Sequence, residues 1–222
     1  MKSTGLVYEM RRYTGKATPP LTVLEDASIY GSDGDFKSSG HPAWVKNAAG
    51  IWELGFDSAA IDYVEITCPQ CNFTFEDFSI IVRFTEGTLD VIDVLFIRGI
   101  SGSDGYSFHL AENGEARFQT FQVAVSQLTS TAAGAIVNGG IYTLGLSRSG
   151  EDVFIYRNGI DITSVSGTHI NPLTCARTAK IGVWDTKNQY GFDGKMSYMG
   201  VWGYALSAEA HAAKHQELSR WG

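Results

Sequence analysis

Residues 141–163, IYTLGLSRSGEDVFIYRNGIDIT, decide the fold together with AKIGVW (179–184) and GFDGKMSYMGVWGYALS (191–207). In the first piece Val153 and Ile155 alternate with Phe154 and Tyr156, and Ile160 and Ile162 alternate beyond Asn158-Gly159. A period of two puts successive side chains on opposite faces of a strand. Asn-Gly best tolerates the two positive φ angles of a type I′ turn. The stretch therefore predicts two antiparallel strands joined by a tight turn.

Outward from it, strand patterns recur at 6–12, 51–54, 63–66, 73–75, 78–84, 92–98, 106–110, 116–118 and 121–125. Turn clusters separate several of them, at 31–35, 102–105 and 112–115, and Asn113-Gly114 predicts a second hairpin. Residues 13–50 are the least regular part. The 207–219 segment reads as a short helix, with Ser207 as its cap and Glu209 in its first turn. Many short strands with one terminal helix predict an all-β sandwich spanning 1–222 as one domain.

The composition agrees. Apolar residues make up 44% and charged residues 18%, enough for a core and too little charge for a disordered chain. The formal net charge of −7 disfavours a nucleic-acid partner, which needs a basic face to displace counterions. Arg11-Arg12, the basic doublet, reads as the solvated end of a strand. No apolar run is long enough to span a membrane, and the first ten residues lack the apolar centre of a signal peptide. Synthesis in the cytoplasm is the expectation. Cys68, Cys71 and Cys175 are an odd set. Cys68-Pro69-Gln70-Cys71 has the spacing of half a zinc site, which Cys175 and His169 would have to complete, or of a redox pair, whose βαβ context is absent. Reduced cysteines beside a turn are the expectation.

The order of fragments resembles the concanavalin A-like lectin/glucanase superfamily, in its laminin-G-like branch. The resembling pieces are Gly5 to Glu9, Glu25 to Ser28, Gly55-Phe56-Asp57 through Asp62 to Ile66, Phe75 to Phe84, and Tyr142 to Leu146. They continue with Gly150 through Gly159, Ile181-Gly182, Gly191 through Lys195, and Ala205-Leu206-Ser207. The resemblance implies a jelly-roll of two packed antiparallel sheets that holds a glycan or protein surface without chemistry. Ser197 and Tyr198 stand where relatives carry acidic residues, so the resemblance does not support a calcium site in the last strand.

Glycoside hydrolysis needs two carboxylates facing one scissile bond. The Glu-x-Asp-x-x-Glu strand of the superfamily's glucanases does not occur. Asp90 and Asp93 are not on one face, Glu112 and Glu115 flank a turn, and Asp62 and Glu65 are expected to face solvent. No enzyme is expected. The five histidines sit in no motif and read as surface or strand-face residues. Asp26, Asp33, Asp35 and Asp57 could gather calcium, but their composition is that of ordinary turns. A sugar site needs aromatic faces beside polar groups. The best loop for one is 184–190, with Trp184, Asp185, Asn188 and Tyr190; Asp104 and Tyr106 are a second candidate.

The expected function is a non-catalytic recognition or structural module. A one-domain chain without a signal peptide suggests a bacteriophage virion component, such as a capsid decoration or tail-associated adhesion protein docked on a viral lattice, alone or as an oligomer. The alternatives are a soluble carbohydrate-binding module and a diverged glycanase.

Overall fold

The computed structural model describes residues 5–15, 18–37, 41–123 and 125–220. Among these run seventeen strands and one α-helix. The first strands are β1 (Leu6–Glu9), β2 (Val23–Leu24), β3 (Gly34–Lys37), β4 (Ala43–Lys46), β5 (Trp52–Phe56) and β6 (Tyr63–Ile66). Long strands follow: β7 (Phe78–Glu86), β8 (Ile92–Ile100), β9 (Asp104–Ala111), β10 (Ala116–Gln122), β11 (Val125–Thr131), β12 (Ile141–Ser149) and β13 (Asp152–Arg157). The chain closes with β14 (Ile160–Asp161), β15 (Thr163–Val165), β16 (Ala179–Ile181), β17 (Gly194–Trp202) and helix α1 (Ala208–Ser219).

The strands form two antiparallel sheets. One runs β14-β13-β12-β7-β17-β5-β4, with β1 paired beside β5 along the same edge of β17. The other runs β15-β11-β10-β9-β8-β16-β6-β3-β2. The alternation seen in the sequence divides the faces. Phe78, Ile80, Val82 and Phe84 of β7 enter the main core, whereas Ile81 joins Tyr198, Trp202 and Leu218 in a cluster beneath α1. Tyr106, Phe108 and Leu110 of β9 face the core from the opposite sheet. Phe73 stacks on Phe78 at 4.5 Å, and Phe78 reaches Tyr106 at 4.9 Å, so aromatic rings bridge the layers.

Asn158 and Gly159 have φ of 53° and 81°, and Arg157 pairs with Ile160, as the tight turn requires. The 111–115 turn likewise joins β9 to β10. Ser207 caps α1 by accepting the Ala210 amide. On the underside of α1, His211 stacks on Tyr156 at 4.0 Å and bonds Ser147 at 2.8 Å.

Four expectations are corrected. The 13–50 segment holds β2, β3 and β4. Strand β3 pairs with all of β6 and extends the second sheet, its pattern masked by the solvent-facing Asp35. Phe73–Phe75 forms no strand; the chain bends at 74–76, where the Thr74 amide turns onto the Glu76 carboxylate. The 121–125 run breaks after Gln122; Ala124 lies outside the described residues, as do residues 1–4. Cys68 and Cys71 form a disulfide, since the single helical turn at Pro69–Cys71 brings their Cα atoms to 5.4 Å.

Candidate functional site

The tripeptide Gly-Phe-Asp occurs at 55–57 and again at 191–193, and the fold brings the two copies together. The first closes β5 and the second leads into β17. Gly194 pairs with Phe56, and Lys195 pairs with Gly55. Beneath this pairing the rings of Phe56 and Phe192 meet edge to face at 5.7 Å, both buried. The aromatic pair packs the two segments against each other, and the following aspartates emerge at the rim. They border an open cavity of about 390 Å³ lined by Asp57, Asp62, Asp193 and Lys195, with Gly87 and Gly194 in its wall.

Backbone amides fix these carboxylates. Asp57 Oδ1 accepts the amides of Ala59 at 2.9 Å and Ala60 at 3.3 Å. Asp62 Oδ2 accepts the Asp57 amide at 3.2 Å, and Asp193 Oδ2 accepts the Thr88 amide at 2.9 Å. Gly87 is required here: a Cβ would stand 2.6 Å from Asp193 Oδ2. Asp57 and Asp193 each keep a second oxygen with no partner among the described residues, and such an oxygen suits a ligand hydroxyl. Asp62, expected in solvent, is instead buried. The sequence signal for this cavity was the repeated tripeptide. Its two copies lie too far apart in the chain for spacing to unite them.

The loop singled out in the sequence has a different position. Residues 184–190 lie on the outer face of the second sheet, where Trp184 packs edge-on against His109, Phe121 and Tyr190 and is only 7% exposed. Asp185 is buried and pairs with Lys180 and Arg177, both at 2.9 Å. Lys187 pairs with Glu65 at 2.7 Å, which draws Glu65 below its usual range against the opposing effect of burial. Asp185 and Lys187 thus pin the first half of the loop to the sheet. Asn188 is exposed, and Tyr190 is half-buried.

Arg177 also lies 3.7 Å from Asp104, so the loop and the start of β9 are neighbours. Tyr106 is not open to a ligand. It is fully buried in the core, and its hydroxyl donates to the Cys71 carbonyl at 2.7 Å.

Among the described residues no three His, Cys, Asp or Glu side chains are grouped to hold a metal. The zinc set of Cys68, Cys71, Cys175 and His169 is not assembled: His169 is taken by Thr120 and Thr129, and two of the thiols are bridged. Asp26 accepts the amides of Glu9, Ser28 and Ser32 and the Ser28 hydroxyl, so both its oxygens organise the turn. No helix among the described residues is long and apolar enough to cross a membrane.

Two facing antiparallel sheets with a rim cavity form a lectin-like sandwich fold. The model of the Concanavalin A-like lectin/glucanases superfamily, in its laminin-G form, matches residues 57–210, and the chain belongs to that superfamily. No curated protein matches by sequence.

Among solved structures, the binding domain of botulinum neurotoxin DC in complex with rat synaptotagmin II is similar. It has a TM-score of 0.71 at 14% identity, over 96% of this chain and 52% of that one. A structure of botulinum neurotoxin type C, whose cell entry depends on two ganglioside molecules, has a TM-score of 0.68 at 14% identity over 96% and 51%. Trypanosoma rangeli sialidase, in complex with the inhibitor DANA, has a TM-score of 0.66 at 14% identity over 97% and 34%. The chain thus spans about half the length of the toxin chains and a third of the sialidase. At these identities the likeness is one of fold.

Proposed function

We propose that the chain is a non-catalytic recognition module that holds a glycan at the rim cavity between Asp57, Asp62, Asp193 and Lys195. The observation that carries this reading is the convergence of the two Gly-Phe-Asp segments on a cavity of about 390 Å³. That volume suits a sugar residue. The lectin-like neighbours, among them binding domains that take a protein receptor or gangliosides, support a binding role. With three carboxylates and one ammonium in its lining, the cavity favours an uncharged sugar with vicinal hydroxyls and repels sialic acids.

The sialidase neighbour raises the rival of catalysis. Against it, the strongly perturbed carboxyls, Glu86 and Asp93, are sealed from solvent and beyond a substrate's reach. Carriage on a virus particle, the expectation raised by the sequence, gains no support from the family or these neighbours. Searching purified particles for the chain tests it separately.

A glycan array with neutral and sialylated arms tests the proposal. Binding should fall on the neutral arm, and Asp57→Ala and Asp193→Ala should each weaken it by about tenfold or more, the loss of one charge-assisted hydrogen bond. Folded variants that bind as well as the parent would defeat the site, and sugar release from any polysaccharide would defeat the non-catalytic reading.

A further inference from the structure

Glu86 closes β7 and Asp93 opens β8, on either side of the turn at residues 87–91. The two strands belong to opposite sheets. Phe84 lies in the main core, while Ile92 and Val94 pack in the cluster on the other face of the second sheet, so the period of two turns Glu86 and Asp93 inward. Glu86 is 1% exposed and Asp93 is fully buried. The Glu86 oxygens make no well-formed hydrogen bond, although the nearby Gly87 amide partly counters the effect of burial; Asp93 Oδ1 likewise has no partner, and Asp93 Oδ2 accepts the Asp90 amide at 2.9 Å. Among the described residues no lysine, arginine or histidine pairs with either carboxyl.

The charged groups around them are mostly of the same sign. Asp90 comes from the turn and Asp193 from the approach to β17. Asp57, Asp62 and Lys195 line the rim cavity beyond Asp193. The loop before β12 offers Asn138, which accepts the Leu89 amide and carries no charge. A buried charge with no partner is costly, and a like charge beside it adds to the cost. Burial first, then Asp93 and Asp193, push Glu86 up to about 9; burial first, then Asp90 and Asp193, push Asp93 up to about 7.

We propose that this end of the sandwich is a proton-held clasp. While Glu86 and Asp93 are neutral the two sheets close over them, and the 87–91 turn stays bound to Asp193. Once they ionise, the sheets part at that end and the rim cavity loses its wall at Gly87 and Asp193. A ligand in the cavity would be gripped in mildly acidic surroundings and released above neutrality, a consequence that rests on the binding role proposed above.

The folded-state pKa of each carboxyl is raised. Their stabilisation is therefore complete below the ordinary carboxylate range and is lost as pH rises through about 7 and then about 9. Thermal unfolding of the ligand-free chain tests the clasp without reference to the cavity's ligand. Between pH 6.5 and 8.5 the parent midpoint should fall by roughly 5 °C or more. Glu86→Gln should remove most of that fall, and Glu86→Gln with Asp93→Asn should remove nearly all of it. Over the same range, amide exchange of Gly87, Thr88 and Gly139 should accelerate in the parent ahead of the core strands. A flat parent profile, or a slope that survives in the double variant, overturns the proposal. Should the double variant not fold, Glu86→Gln and the parent's exchange pattern decide it alone.

Discussion

Asp185 shows how one side chain can look like a ligand contact and serve as an anchor. Trp, Asp, Asn and Tyr in one loop are what a sugar site is made of, and composition does not say which faces are covered. Here Phe121 and His109 cover the Trp184 ring, and Lys180 and Arg177 hold Asp185. Lys180 is 2% exposed, so Asp185→Asn strands a buried ammonium. We expect the variant to lose about 3 kcal/mol of stability, read as a shift in the urea midpoint, while glycan binding at the rim cavity persists. The opposite pattern, unchanged stability with lost binding, would restore the loop as the site. Asp57 and Asp193 escaped notice for the converse reason. Each sits in a short motif that is ordinary by itself, and only the register of Gly194 against Phe56 makes them a pair.

Among elements, the hairpin at Asn158-Gly159 was legible because backbone chirality demands those residue types. Helix α1 was legible from its cap. What lay beneath it was not, because the face it covers is assembled from strands distant in sequence. His211, Tyr156 and Ser147 meet there. Burial holds His211 down to about 4, and it holds His169 to about 4 and His109 to about 3, the latter two also lowered by Arg148 and Arg117.

A depressed folded-state pKa means that the stabilisation is present above the unfolded histidine value and is lost as pH falls from about 6.5 toward 4. Urea unfolding should therefore show this histidine loss between pH 6.5 and pH 4.5, read in the Glu86→Gln with Asp93→Asn background because the two carboxyls gain stability over the same fall in pH. His211→Gln should remove part of that acid loss, and an unchanged slope in the variant would show that His211 is not its source. Combined with the loss from Glu86 and Asp93 as pH rises, this gives a profile that peaks at about pH 6.

For the molecule as a whole, the family match begins at residue 57, but the sandwich does not. Strands β1 and β5 fill one edge of β17, β3 covers β6, and α1 extends to Ser219. A fragment restricted to 57–210 would leave β17 and β6 unpaired on one side and would remove His211 and Leu218 from above Tyr156 and Trp202. We expect no cooperative unfolding transition from that fragment by circular dichroism; a sharp one would show that the early strands are dispensable. The jelly-roll was readable from the ordered fragments because periodicity and turns are local. The short strands β2 to β4 were not, since two to four residues with one face in water carry too short a pattern.

The position of β17 between β7 and β5 sets an order of events on the ribosome. The run FSIIVRF of β7 emerges about 108 residues before the strand that flanks it. At ~5–20 residues per second, translation leaves one side of that sticky ribbon unguarded for roughly 5–20 s. Slower synthesis would lengthen the exposure, so producing this chain in quantity will depend on chaperones that shield the nascent segment until its late-arriving neighbour slides in.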